Sequence, residues 1–467
     1  MKFIKQFSIF FLALLILPCS CYKESLSEIN EDPTRLSDVD MSLMLPEILT
    51  QAAFNEGATS GRLAGIVMQQ FTGLDAQQIQ YTNYVLGEDA LNNFWRTGMY
   101  AGVLRSCQVL IDKAVEEEAP FYTGVAKVIM ANEYGILTSI FGDIPFSEAL
   151  LGIENLKPAY DLQSDVYTGI LSMFDAAIGD LSKGDGYVGG DLIFDGDAAK
   201  WLATANAMKA RYLLQLTKRD NGAAAQALTA LGSAIGSLAD QPTFKFGSGQ
   251  TDNWSLAKFG QERPSTLGIS AQFADMMSSK SDPRQDKYMY EQDGDWFYYD
   301  IGNSNLIWGR NDAPVPLISY VEVKFMEAEA LLRTSGSDAD VTAALKAGIA
   351  ASMEQVGIDA ADYTTYVDTY GDLTGLSTEE KIQRVIEEAY VSYYGYNFHT
   401  TWSNFRKTGY PALTPSPLGA NGLNPSGVVP RRALYVGSET QTNSANVEAA
   451  RARQGGGLLD VHVWAFE

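Results

Sequence analysis

An all-α fold is predicted, built of helix hairpins of the tetratricopeptide kind with a loop-rich, irregular ligand-binding face. Three observations predict it. Apolar residues recur at helical spacing through paired segments along most of the 467 residues. Small residues (Ala126, Ala131, Ala205, Ala210, Ala328, Ala330) stand where paired helices would cross, and small side chains let helix backbones approach. Between the pairs lie insertions 183–196, 241–266, 279–318 and 409–445, rich in Gly, Pro, Asp and aromatics. A hydrophobic content of 46% supplies a sizeable core.

The chain opens with Lys2 and Lys5, an unbroken apolar run from Ile9 to Leu17, and then Pro18-Cys19-Ser20-Cys21. The run is shorter than the roughly 20 residues a membrane span needs, so residues 1–20 read as a secretory signal peptide. A cysteine directly after such a run is the lipoprotein pattern. Cys21 follows the small Ser20, whereas Cys19 follows Pro18, so Cys21 is the expected lipidation site. Its acyl chains would anchor the protein to a membrane. Residues 21–40 are polar and charged, a lipidated tether and extended arm, and 41–467 are expected to form one domain.

Helices are expected over 43–56 and 61–71, and then in four pairs. The first pair is 97–117 and 121–141, broken at Pro120, with Val125, Ile129, Ile136 and Ile140 on one face. The second is 164–182 and 197–218, where Trp201, Ala205, Met208 and Tyr212 share a face. The third is 319–334 and 338–356, with Val321, Phe325, Ala328 and Leu332 aligned, and the fourth is 378–394 and 396–406. The pairs do not keep a strict tetratricopeptide period, so insertions interrupt the repeat. Cys107, between Leu104 and Leu110 on a helical face, reads as a buried structural thiol.

The formal charge is −23. Such a surface repels phosphate backbones, so nucleic acid is not an expected partner. Two histidines, His399 and His462, cannot build a multi-histidine metal centre. No GxxxxGK[ST], HExxH, CxxC or GxSxG motif occurs, and Gly455-Gly456-Gly457 is no dinucleotide fingerprint. No cofactor is expected. The acid pairs Glu327/Glu329 and Glu387/Glu388 read as solvated helix faces rather than a hydrolytic pair. The clusters Asp191/Asp195/Asp197 and Asp293/Asp295/Asp300 lack the calcium-loop register and read as loop solvation.

Aromatic residues are the better candidates. Trp296, Phe297, Tyr298 and Tyr299 run consecutively through a Gly/Asp loop, with Trp308 nearby. Tyr81, Tyr84, Trp95 and Trp254 lie in or beside other loops. Their rings suit the C–H faces of sugars or peptide side chains; the alternative for each is to cap an end of the helix bundle. Four consecutive rings cannot all face one core, because successive side chains diverge. The candidate ligand-binding residues are therefore Trp296, Phe297, Tyr298, Tyr81, Tyr84, Trp95, Trp254 and Trp308.

Six segments, taken with Cys21 and in this order, resemble the SusD/RagB family of outer-membrane nutrient-binding lipoproteins, in its shorter SusD-like branch. They are SEINEDP (27–33), FGDIPFSEAL (141–150), WLATANAMKARYLLQLTKR (201–219), YVEVKFMEAEALL (320–332), FRKTGYPAL (405–413) and VPRRALYVGSE (429–439). Locally they make physical sense. Gly142 can end a helix in a left-handed conformation, and Pro145 forces Ile144 to be extended; Gly409 and Pro411 repeat the device.

The resemblance implies a non-catalytic protein at the outer membrane of a Bacteroidetes-type bacterium, lipid-anchored and facing the exterior. It would bind an oligosaccharide or peptide and deliver it to a SusC-like TonB-dependent transporter, over which it sits as a lid. It transfers no binding residue, since ligand sites vary within the family. A surface glycoside hydrolase and a pure protein-interaction scaffold are the competing readings.

Overall fold

A computed structural model describes residues 39–184, 189–249 and 251–467. The signal peptide, Cys21 and nearly all of the arm lie outside the described residues. From Met41 to Glu467 the chain is one compact unit.

The unit begins with α1 (Met41–Gly57) and α2 (Thr59–Val67), the strand β1 (Phe71–Gly73) and α3 (Ala76–Thr82). A stretch of π-helix, Phe94–Val103, runs into α4 (Leu104–Glu116). Pro120 opens α5 (Pro120–Phe141) at its first turn, where a missing N–H costs nothing. This helix is buried along nearly its whole length, because apolar and small residues occupy every face. α6 (Gln163–Leu181), α7 (Ala198–Gln215) and α8 (Ala223–Leu231) stack after it as successive hairpin partners. Asp197 caps α7 by accepting the amide of Lys200.

The insertions that follow are not purely irregular. They contain β2 (Thr243–Lys245), α9 (Ser255–Glu262), β3 (Leu267–Ile269), α10 (Ala271–Ser279), α11 (Gln285–Tyr288), β4 (Tyr290–Gln292), β5 (Asp295–Phe297) and β6 (Pro314–Pro316). The strands form an antiparallel sheet in the order β1-β3-β5-β4 and a separate β2–β6 pair. Three-residue strands are too short to show a period of two, which is why only helices are expected from the sequence.

α12 (Tyr320–Arg333) and α13 (Asp338–Gln355) form the expected hairpin, capped by Ser319 and Ser337. α14 (Ala360–Tyr370) was not anticipated. α15 (Thr378–Ser392) starts with a reciprocal capping box between Ser377 and Glu380. α16 (Phe398–Thr408) was expected to pair with it, but rests chiefly on α2. The short helices α17 (Gly437–Thr442) and α18 (Ser444–Arg453) follow the proline-rich segment. The six crossing alanines and Cys107 are buried, as expected.

Two buried ionic knots tie these parts together. Arg211 of α7 grips Glu322 of α12 with two bonds of 2.6 and 2.7 Å and donates to Asn132 of α5 at 2.9 Å. Asn397, just before α16, donates to the same carboxylate at 2.7 Å. Arg284, fully buried, binds Asp282 beside it, Ser352 of α13, and Ser392 and Glu388 of α15, so it pins the 279–318 insertion to two helices.

Gly142 ends α5 with φ 83° and ψ −120°. The positive φ was expected, but the ψ lies outside the left-handed helical region, in territory that only glycine enters easily. A Cβ there would collide with the side chain of Gln454. Gly409 does take the left-handed conformation at the end of α16. Ile144 is extended before Pro145 and bridges Asp161.

Candidate functional site

The aromatic run is a hairpin at the edge of the four-stranded sheet. Asp293 and Gly294, with φ 55° and 90°, make the two-residue turn between β4 and β5, the sign that matches the twist of paired strands. The register places Tyr290 opposite Phe297 and Glu291 opposite Trp296, while Trp296 also pairs with Ile269 of β3. Tyr290 donates its hydroxyl to the carbonyl of Tyr299 at 3.1 Å and lies 5.8 Å from the Phe297 ring. Four rings stay partly exposed here: Tyr290, Trp296, Phe297 and Tyr299. Tyr298 turns inward, its ring 5.3 Å from Phe71 and its hydroxyl donating to the carbonyl of Leu256.

The chain then folds around an open hollow of about 380 Å³, lined by residues 299–304 and 309–312. Tyr299 offers a ring, Asn303 and Asn311 offer amides, and Asp300, Arg310 and Asp312 offer charge. Arg310 clasps Asp312 through two bonds of 2.9 Å. That pairing holds the Asp312 carboxyl below its usual range and raises Arg310. Burial, followed by the charge of Asp300, raises the Tyr299 phenol. The base of the hollow is braced where the carbonyl of Asn311 accepts the amide of Trp254 at 2.7 Å.

Chemically, this face presents partly exposed rings beside a hollow of amides and a fixed ion pair. Such a set can stack on a ring-shaped ligand and exchange hydrogen bonds with its hydroxyls. A general acid needs a raised pKa, and Asp312 is shifted the other way.

Of the eight aromatic candidates, the structure leaves Trp296 and Phe297 partly exposed and buries the other six. Tyr84 is a buried peg whose hydroxyl accepts from Gln69 and from the amide of Ser416. Trp254 packs on Phe246 at 5.2 Å, and Trp308 on Tyr396 at 4.8 Å. Trp95 meets Phe141 edge-on at 4.9 Å and stacks on Tyr160, and Tyr81 is also buried. These six are buried instead of lining the aromatic face; Tyr298, Tyr84, Trp95 and Trp308 each meet a partner distant in sequence. Tyr290, Asn303, Arg310 and Asn311 went unnoticed in the sequence. The Asp-Gly step between two aromatic stretches was the available signal for the hairpin that places them.

The acid pairs are not simply solvated helix faces, because one member of each is buried among cations. Glu329 is buried between Lys407 and Arg333, and Glu388 between Arg284, Lys280 and Tyr366. Asp191 accepts the amides of Ile193, Phe194 and Gly196 and the indole N–H of Trp201, so it organises its own loop. Among the described residues no group of three or more His, Cys, Asp or Glu could hold a metal ion. Arg432 is buried, donating to the carbonyl of Phe141 at 2.6 Å, and offers no surface charge.

A SusD-like family model, described as "Starch-binding associating with outer membrane", matches residues 33–436. Among solved structures, one titled a chitin-binding protein superposes with a TM-score of 0.77 at 23% identity, covering 92% of this chain and 100% of its own. A SusD/RagB family protein from Bacteroides thetaiotaomicron gives 0.74 at 23%, over 92% and 99%. A SusD homolog from Bacteroides uniformis gives 0.77 at 20%, over 92% and 100%. At such identities the structures share the fold. No curated protein matches the sequence.

Proposed function

We propose, from the premise that the chain belongs to the SusD-like family of starch-binding proteins associated with the outer membrane, that it binds an oligosaccharide at the 290–312 face and does no covalent chemistry on it. The observation that carries the reading is the hairpin that holds Trp296 and Phe297 partly exposed, next to the hollow of Asn303, Arg310 and Asn311. The family description favours a glycan over a peptide. Cys21 would anchor the protein to the outer membrane facing the exterior, and a SusC-like TonB-dependent transporter would receive the ligand. Among the described residues no helix is long and apolar enough to cross a membrane, which is compatible with anchoring through lipid.

Calorimetric titration with a panel of oligosaccharides, and with peptides for comparison, tests this reading. The wild type is expected to bind an oligosaccharide and release no product from it. Trp296→Ala should weaken that binding by about tenfold, the scale of one lost stacking contact. Turnover, binding of peptides alone, or undiminished binding by Trp296→Ala would refute it.

A further inference from the structure

A second concavity, a groove of about 600 Å³, lies between the π-helix and the segment 145–158. Its shape comes from local backbone chemistry. A π turn takes more residues than an α turn, so positions five apart share a face. Trp95 and Tyr100 do so, with rings 5.0 Å apart, and Arg105 continues the row. Gly102 leaves helical geometry at φ −100° and ψ −115°, where a Cβ would collide with the Thr97 carbonyl. Such π segments are frequent at functional sites.

The facing wall is tied to this helix. Tyr100 donates its hydroxyl to the carbonyl of Pro145 at 2.6 Å, and Arg105 donates to that of Leu150 at 3.2 Å. Leu150 itself has φ 65°, a conformation leucine adopts only under constraint. The groove is therefore preformed. Its floor is apolar, drawn from Ala101, Pro145, Ala149, Leu150 and Leu156. On the same loop Leu156 is 75% exposed and Ile153 94% exposed, so apolar surface continues into solvent around the groove.

Two arginines, Arg96 and Arg105, line the same groove. Among the described residues Arg96 has no hydrogen-bond or ion-pair partner, and Arg105 has only the Leu150 carbonyl. In a chain of net charge −23, acidic partners are abundant, yet neither arginine has one. The carboxylate in the lining, Glu439, already accepts the Tyr160 hydroxyl at 3.0 Å. Glu148, on the loop, is engaged by Asn155 and by the amide of Ala159, while Glu154 is exposed on the same loop. The Asn155 amide is thereby occupied, which leaves few groups for a polyhydroxylated ligand.

We infer that this groove is a second ligand site, independent of the glycan-binding face, for an aliphatic carboxylate. The carboxylate would meet the Arg96 and Arg105 forks, whose planar donors match it two at a time. The aliphatic body would lie along the floor from Ala101 to Leu156. A fatty acid and the carboxyl terminus of an apolar peptide share this chemistry.

Titration of the full-length chain with decanoate and with N-acetyl-trileucine tests the inference, with decanol and the trileucine amide as neutral counterparts. At least one acid is expected to bind at least tenfold more tightly than its neutral counterpart, and which one does so identifies the source. Arg105→Met should weaken it about tenfold, and Arg96→Met with Arg105→Met should abolish it. Leu156→Asp, which changes the floor and spares both arginines, should weaken it as well. All three positions are exposed and the Tyr100 bond to the Pro145 carbonyl remains in each variant, so the variants should melt close to the wild type. The inference is overturned if neither acid binds, if the neutral compounds bind equally well, or if correctly folded arginine variants bind as the wild type does.

Discussion

Glu133 sits in the middle of α5, buried, with Asn55 and Asn132 donating to its two oxygens at 3.3 Å each. Burial, followed by the charge of Glu56, pushes its carboxyl up to about 8, so it is largely protonated at neutral pH. Because its pKa is higher folded than unfolded, the folded state holds this proton more tightly. Between the ordinary carboxylate range and about 8 this group therefore makes stability fall as pH rises. Glu133→Gln keeps the shape and removes the titration. Its melting temperature should decline less than that of the wild type between about pH 5 and about pH 8; parallel profiles would contradict the assignment. At this scale the sequence was legible where the neighbours are local. Leu104 and Leu110 flanking Cys107 predict a buried thiol, and Cys107 is fully buried. The aromatic side chains were not legible, because Trp308 is buried by Tyr396 and Tyr84 is held by Ser416. No local pattern reports such partners.

At the scale of elements, long helices were legible and short pieces were not. Periodicity placed α5, α6, α7, α12 and α13 within a few residues of their ends, since each repeats its apolar face over several turns. The strands repeat too few residues to show theirs, so the hairpin carrying Trp296 passed for an irregular loop. Beside its ring contacts with Phe71 and Tyr396, one tie that holds that insertion to the bundle is ionic and buried. Arg284 is encircled by Asp282, Glu388, Ser352 and Ser392, and truncating it strands two carboxylates in the core. Arg284→Met should cost about 3–5 kcal/mol in urea unfolding. A loss below about 1 kcal/mol would mean that water compensates the site and the pin is not structural.

For the whole molecule, a helical scaffold carries an interrupted set of loops, which wall one concavity alone and the other together with the π-helix. The family and its fold were readable in the order of six segments and Cys21, whereas the position of the proposed ligand face depends on how the loops fold against distant helices. The proposed anchor at Cys21 belongs to this scale, since it would decide where the molecule works. Cys21→Ala should move the protein from the membrane fraction to the soluble fraction of lysed cells. Retention of the variant on membranes would show attachment by another route.

Hydrogen exchange, with and without an oligosaccharide found by titration, tests the central claim most directly. Exchange should slow across residues 290–312, while the core helices α5 and α7 remain as they were. Protection confined to other segments, with 290–312 unchanged at saturating ligand, would contradict the assignment of that face as the binding site.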